Sequence, residues 1–228
     1  MSIGYACLNI GTPNTSIRSV MQRNATPEKL TEVTTHNLAA LEKMIDYNRK
    51  NNIKLFRISS DLSPFGSSPV NALPWWDSHA EAFQHIGATI RKSGMRVSFH
   101  PGQYTVLNSP DEDVVARAIL DLAYHAKMLE CLGVDNQHKI VLHVGGIYGD
   151  KKEALQRFEL NFRRLPEAVQ NRLIIENDDR LYNIEEVLEL AHRLQIPAVY
   201  DNLHHAINPP PSRGTDPYWI AEANKTWK

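Results

Sequence analysis

The sequence predicts an α/β fold built on a parallel sheet, and three observations carry that expectation. Short β-rich runs alternate with long stretches of helical periodicity through the whole chain. Four successive runs stay apolar until they deliver an imidazole or a carboxylate at their ends. The loop after the first run, Leu8-Asn9-Ile10-Gly11-Thr12-Pro13, holds one glycine and no G-x-G-x-x-G phosphate loop. That last absence favours a barrel, although periodicity alone leaves an open doubly wound sheet available.

Taken in order, 3–9 reads as the first strand. Thr26 then offers an N-cap and Pro27 suits the first helical position. Lys29 stands where a capping box would want Glu, and Leu30, Val33, Leu38, Leu41, Met44 and Ile45 recur at helical spacing. Residues 55–60 form a second strand, and a helix spans 77–92 and stops at Gly94. A third strand, 96–100, leads to a helix over 111–132 ending at Gly133. The fourth strand covers 139–144 and its helix 151–165; the fifth strand covers 172–176 and its helix 184–194. The sixth strand covers 198–203, and a last helix starts near Tyr218, after the Pro209-Pro210-Pro211 breaker. Six strands alternating with helices imply right-handed crossovers. No linker or composition shift divides the chain, and no low-complexity segment or internal repeat is present.

Composition excludes several classes. With 228 residues, 42% apolar and 22% charged, the chain buries a sizeable core and is neither disordered nor fibrous. Lys+Arg total 25 against 26 Asp+Glu, so a nucleic-acid partner needs a local patch rather than a global basic field. Two cysteines, Cys7 and Cys131, make no disulfide framework and suit a reducing compartment. No apolar run approaches ~18 residues and no secretory leader opens the chain, so a cytoplasmic protein off the membrane is expected. Ten histidines are the compositional oddity.

In parallel α/β folds the carboxyl ends of the strands supply the site. Here those ends read Phe99-His100-Pro101, Leu142-His143-Val144, Ile175-Glu176-Asn177 and Tyr200-Asp201-Asn202-Leu203-His204-His205. One histidine at a strand end is usually a packing residue. The whole set is different, because it would bury several polar groups with no use for them. Imidazoles with carboxylates and no thiolate suit a divalent ion such as Zn²⁺ or Mn²⁺ and disfavour an all-oxygen Ca²⁺ or Mg²⁺ cage. Glu176 is central enough to bridge two ions, and His204 reaches beyond the strand end toward another. A multi-metal site points to phosphate-ester hydrolysis. His36, His79, His85, His125, His138 and His192 fall in helices or connecting loops and receive no role.

At this point the motifs resemble the UV damage endonucleases. His100-Pro101-Gly102-Gln103-Tyr104, His143-Val144-Gly145-Gly146, Glu176-Asn177-Asp178 and Asp201-Asn202-Leu203-His204-His205 carry the likeness. Gly4-Tyr5-Ala6-Cys7-Leu8-Asn9 and Arg57-Ile58-Ser59-Ser60-Asp61-Leu62 agree with it, so it runs from residue 3 to about 208. The resemblance implies a TIM-type (β/α) barrel with up to three divalent ions, Mn²⁺ the usual metal. It implies a nick immediately 5′ to pyrimidine dimers and 6-4 photoproducts in double-stranded DNA, with some members acting at abasic sites. By motif, His100, His143, Glu176, Asp201 and His204 would be metal ligands, with His143, Glu176 and Asp201 at the catalytic centre. Gln103 and Tyr104 would be a wedge entering the duplex at the lesion, and Tyr5 and Asn9 would line the pocket for the extruded dinucleotide. Arg18, Arg23 and Arg180 are candidate phosphate contacts.

Two departures qualify the likeness. Ser68 stands where the family tends to place a histidine. The family also continues with two more strands that add a histidine pair and a glutamate. Residues 1–228 are therefore expected to form a single incomplete domain of about six βα units, of uncertain activity alone, its open strand-six edge inviting a dimer. Two other readings compete: a metal-dependent sugar isomerase or epimerase barrel, and a non-catalytic module that binds lesion DNA. A sugar pocket has no evident need for Gln103-Tyr104.

Overall fold

The computed structural model describes residues 3–212 and 214–227. Met1 and Ser2, part of the N-terminal stretch considered above, lie outside them. The chain divides into two compact units, Met1–His100 with Ala123–Lys139, and Pro101–Leu122 with Ile140–Lys228.

The first unit holds three parallel strands, β1 (Gly4–Ala6), β2 (Leu55–Arg57) and β3 (Arg96–Phe99). Their register pairs Tyr5 with Phe56 and Phe56 with Val97. β1 is shorter than expected because Cys7 turns to φ 58° and the Leu8 N–H bonds back to the Ala6 carbonyl at 2.6 Å. A strand cannot continue through a left-handed residue. Helix α1 (Pro27–Lys50) starts as predicted, with the Thr26 hydroxyl accepting from the Lys29 N–H and Pro27 in the first turn. It buries Leu30, Val33, Leu38, Leu41, Met44 and Ile45 and packs against the next long helix of its unit. The helix expected over 77–92 is two elements, α2 (Trp75–Ser78) and α3 (Ala80–Ser93), the latter burying Phe83, Ile86 and Ile90. They part at His79, whose φ of −121° is not helical and whose Nδ1–H donates to the Trp75 carbonyl at 3.1 Å.

Helix α4 (Glu112–Cys131) supplies residues to both units. The two residues after it are held within the first unit by the Arg91 guanidinium, which donates to the Leu132 and Gly133 carbonyls at 2.7 and 2.8 Å.

The second unit holds β4 (Lys139–His143), β5 (Leu173–Glu176) and β6 (Ala198–Val199), again parallel. Every residue of β5 is buried, the pattern of a strand covered on both faces. Helices α5 (Lys151–Phe162) and α6 (Glu167–Gln170) connect β4 to β5, and α7 (Ile184–Leu194) connects β5 to β6. α7 buries Ile184, Val187, Leu188, Leu190 and Ala191 on one face. Its first turn is closed by a capping box: Asn183 Oδ1 accepts from the Glu186 N–H at 3.2 Å, and Glu186 Oε2 accepts from the Asn183 N–H at 3.0 Å. Replacing Asn183 by Ala should therefore cost about 1 kcal/mol, read as a lower urea midpoint by circular dichroism.

β6 was expected over 198–203 but stops at Val199, and 202–207 turn into the short helix α8 (Asn202–Ile207). The last helix is α9 (Asp216–Asn224). Beyond it, two side chains lie against β6. Thr226 Oγ1 accepts from the Ala198 N–H at 2.8 Å and Trp227 Nε1–H donates to the Ala198 carbonyl at 2.8 Å. Among the described residues no helix is long and apolar enough to cross a membrane.

Candidate metal and catalytic site

The β4–β5 register sets His143 directly opposite Glu176. Both are the last residues of their strands, so both side chains reach the carboxyl-end face where α/β folds place chemistry. His143 Nε2 stands 3.7 Å from Glu176 Oε2. That exceeds a hydrogen bond. It is near the about 3.4 Å that separates two donors sharing one ion at about 2.1 Å across a tetrahedral angle. Glu176 is 4% exposed, and a buried carboxylate needs a cation or donors around it.

The early end of β6 places the next two predicted residues. Asp201 N-caps α8, its Oδ1 accepting from the His204 N–H at 2.8 Å. The His204 ring lies beside that of His143, with centroids 5.4 Å apart. His204 Nδ1 stands 2.8 Å from the Asn177 carbonyl oxygen. A carbonyl only accepts, so Nδ1 carries the proton and Nε2 keeps the lone pair of the neutral ring. His143, Glu176, Asp201 and His204 thus form one connected group within the second unit. Two imidazoles and two carboxylates fit a divalent ion of the Zn²⁺ or Mn²⁺ kind, and the fixed ring orientation of His204 is that of a metal-ligating histidine. Asp178, the other carboxylate of the Glu176-Asn177-Asp178 run, is turned to its own loop. Its oxygens accept from the N–H groups of Arg180, Leu181 and Tyr182.

The loop after His143 is pinned. Gly145 has φ 108°, and a Cβ there would stand 2.4 Å from Asn108 Oδ1, so only glycine fits. Asn108 Nδ2–H and the Tyr182 hydroxyl both donate to the Gly146 carbonyl, at 2.6 and 3.0 Å. Tyr182 is fully buried, and burial pushes its hydroxyl up to about 12, so it remains a donor at any physiological pH. The sequence reading assigned nothing to Asn108 or Tyr182. The available signal is that a buried amide and a buried phenol must each find a partner.

His100 ends β3 in the first unit. Its carbonyl accepts from Ser60 Oγ at 3.3 Å, and Ser60 Oγ lies 2.9 Å from Nε2 of the buried His125. His125, left without a role above, therefore braces the strand end that carries His100. Ser68 closes a local turn, its Oγ accepting from the Val70 N–H at 3.3 Å. Tyr5 and Asn9 are half-buried and bonded to each other, Asn9 Nδ2–H donating to the Tyr5 hydroxyl at 3.2 Å. Burial raises the Tyr5 pKa, while the Asn9 hydrogen bond pulls it down. The Tyr5 ring is tilted 55° against Phe56 with centroids 4.9 Å apart.

Gln103 and Tyr104 occupy the exposed tip of a turn in the second unit. The turn is closed by the Thr105 N–H on the Gly102 carbonyl at 2.9 Å and anchored by Thr105 Oγ1–H donating to the buried Asp121 at 2.7 Å. A Cβ on Gly102 would stand 2.4 Å from the Tyr104 ring, so glycine lets that ring lie over the backbone. Tyr104 is 74% exposed.

Comparison with known proteins agrees with this layout. The family model described as UV-endonuclease UvdE matches residues 2–228. The UV DNA damage endonuclease of Clostridium perfringens (strain 13 / Type A) is 43% identical over 205 residues, covering 90% of this chain and 50% of that protein. The chain thus spans about half the length of that relative. The crystal structure of SacUVDE superposes with a TM-score of 0.95 at 36% identity, covering 100% of this chain and 78% of the other. A D-psicose 3-epimerase from Clostridium cellulolyticum H10 superposes at 0.58 with 16% identity, over 81% of this chain and 64% of its own, a likeness of fold alone. The fold is α/β of the TIM-barrel type, with three parallel strands in each unit among the described residues. With a family model matched along almost its entire length, the chain belongs to the UV-endonuclease UvdE family.

Proposed function

We propose that this chain provides the strand-end chemistry of a metal-dependent DNA-repair endonuclease, which nicks the backbone immediately 5′ to pyrimidine dimers and 6-4 photoproducts and also acts at abasic sites. One observation carries the reading: His143, Glu176, Asp201 and His204 form a connected donor group at the strand ends of a UvdE-family chain. By its motif at the end of β3, His100 is a further metal ligand in this reading. Asp201 and His204 would complete the set, with Glu176 at its centre.

Bound here, divalent ions, Mn²⁺ foremost, would supply an activated water and stabilisation of the leaving oxygen. The chain's own residues do the rest. Glu176 and Asp201 bring the negative charge that concentrates cations at the strand ends. His143 and His204 offer neutral nitrogens, His204 with its tautomer already fixed. Gln103 and Tyr104 enter the duplex and replace the stacking that a damaged step gives up cheaply. Tyr5 and Asn9 receive what is extruded.

The test uses the complete protein that contains this sequence. Supercoiled plasmid irradiated with ultraviolet light should be nicked in Mn²⁺, with 3′-hydroxyl ends mapping 5′ to dimers, while unirradiated plasmid stays intact and chelator abolishes cutting. A protein that binds Mn²⁺ but leaves irradiated duplex uncut would overturn the reading.

A further inference from the structure

Asn177 follows Glu176 directly and is fully buried. Its side-chain amide makes two hydrogen bonds to one residue. Oδ1 accepts from the Asp201 N–H at 2.8 Å, and Nδ2–H donates to the Asp201 carbonyl at 2.9 Å. Its own carbonyl accepts a hydrogen bond from the His204 Nδ1–H at 2.8 Å. Three polar functions of one buried residue are thus all spent on two residues that follow β6, the backbone of Asp201 and the ring of His204.

The arrangement has a physical cause. β6 ends at Val199, so no backbone ladder from β5 reaches Asp201. The Asn177 amide supplies what two flanking residues of a parallel neighbour would supply, an acceptor for the N–H and a donor for the C=O of one residue. Asp in its place loses the donor, Leu loses both groups, and Gln is a methylene too long for the same geometry. With the Asp201 backbone clamped, its Oδ1 caps α8 through the His204 N–H. Oδ2 stands 3.8 Å from His204 Nδ1, too far for a hydrogen bond. Each of Asp201 and His204 is therefore presented with one atom, Oδ2 and Nε2, outside this web. Asn208 fixes the far end of α8, its Nδ2–H donating to the Asp178 carbonyl at 3.1 Å.

We infer that Asn177 is the positioning residue of the ion site, setting Asp201 and His204 relative to Glu176 through its reciprocal amide clamp. This rests on the metal-site reading above. The consequence is that removing the clamp weakens ion binding even in molecules that remain folded.

A matched control exists in the first unit. Asn37 is also fully buried and makes the same reciprocal pair with the Arg18 backbone, at 2.8 and 2.9 Å. The experiment compares Asn177→Ala and Asn37→Ala in the complete protein, under conditions where circular dichroism shows both folded. Mn²⁺ affinity is measured by titration with electron paramagnetic resonance, and the His204 ring nitrogens are followed by NMR in metal-free protein. Asn177→Ala should weaken Mn²⁺ binding about 10- to 100-fold, the range for partners that orient metal ligands. It should also erase the fixed Nδ1–H signature of His204. Asn37→Ala should leave both within twofold of wild type. If Asn177→Ala does not fold, Asn177→Ser decides by the same two readouts. Unchanged affinity in the folded Asn177 variant overturns the clamp and leaves the metal reading standing, whereas a wild-type protein that takes up no Mn²⁺ overturns the metal reading itself.

Discussion

Glu176→Gln should abolish Mn²⁺-dependent nicking of irradiated duplex while leaving the metal-free protein as stable as before. Gln has nearly the shape of Glu, so the packing around a side chain only 4% exposed is preserved and no cavity forms. What disappears is a buried negative charge 3.7 Å from His143 Nε2, and with it the cost of keeping a charge out of water, which a neutral amide of the same shape does not carry. Binding is another matter. Partners that only orient metal ligands cost 10- to 100-fold when removed, so a charged ligand at the centre of the set should cost at least about 100-fold. The separation is read by thermal melting with and without Mn²⁺. At about 100 times the dissociation constant, wild type should gain about 2.7 kcal/mol from the ion and the variant close to none. Equal Mn²⁺ stabilisation of both proteins would exclude Glu176 as a ligand.

Removing both tip side chains, Gln103→Ala with Tyr104→Ala, should erase the preference for irradiated over intact duplex and leave ion binding alone. Stability should change by no more than about 0.5 kcal/mol, because both residues are exposed and the turn is held by Gly102, Thr105 and Asp121. Base–aromatic stacking is worth about 1–3 kcal/mol per base, so affinity for a lesion duplex should fall about 5- to 150-fold. Competition between labelled irradiated duplex and unlabelled intact duplex measures it. A double variant that still discriminates would assign lesion recognition elsewhere.

The strand-end donor residues were legible because of two rules that act locally. A parallel sheet delivers the last residue of each strand to one face, and an apolar run ending in a histidine or carboxylate marks that residue in the sequence itself. His143 and Glu176, directly opposite each other, follow from those rules alone. The helix over 184–194 was equally legible, because its apolar period and its buried face coincide. What escaped depends on partners distant in the chain. Tyr200 to Leu203 looks like a strand continuing, yet the Asp201 side chain caps a helix and Asn177, 24 residues earlier, replaces the missing ladder. His79 breaks a helix whose apolar spacing gives no sign of a break, through a bond to the Trp75 carbonyl. A buried asparagine advertises only that it has partners. Which backbone it holds is known once the strands are side by side.

The side chains beyond α9 bear on how the molecule meets its neighbours during synthesis and storage. In a parallel strand, alternate residues turn their peptide groups to opposite sides, so with Pro197 and Val199 on the β5 side Ala198 faces outward. Such outward groups are the template on which foreign strands add, the first step of runaway stacking. At Ala198 that template is already consumed by Thr226 and Trp227. Among the described residues, a foreign strand adding at Ala198 would first have to displace a buried hydroxyl and an indole.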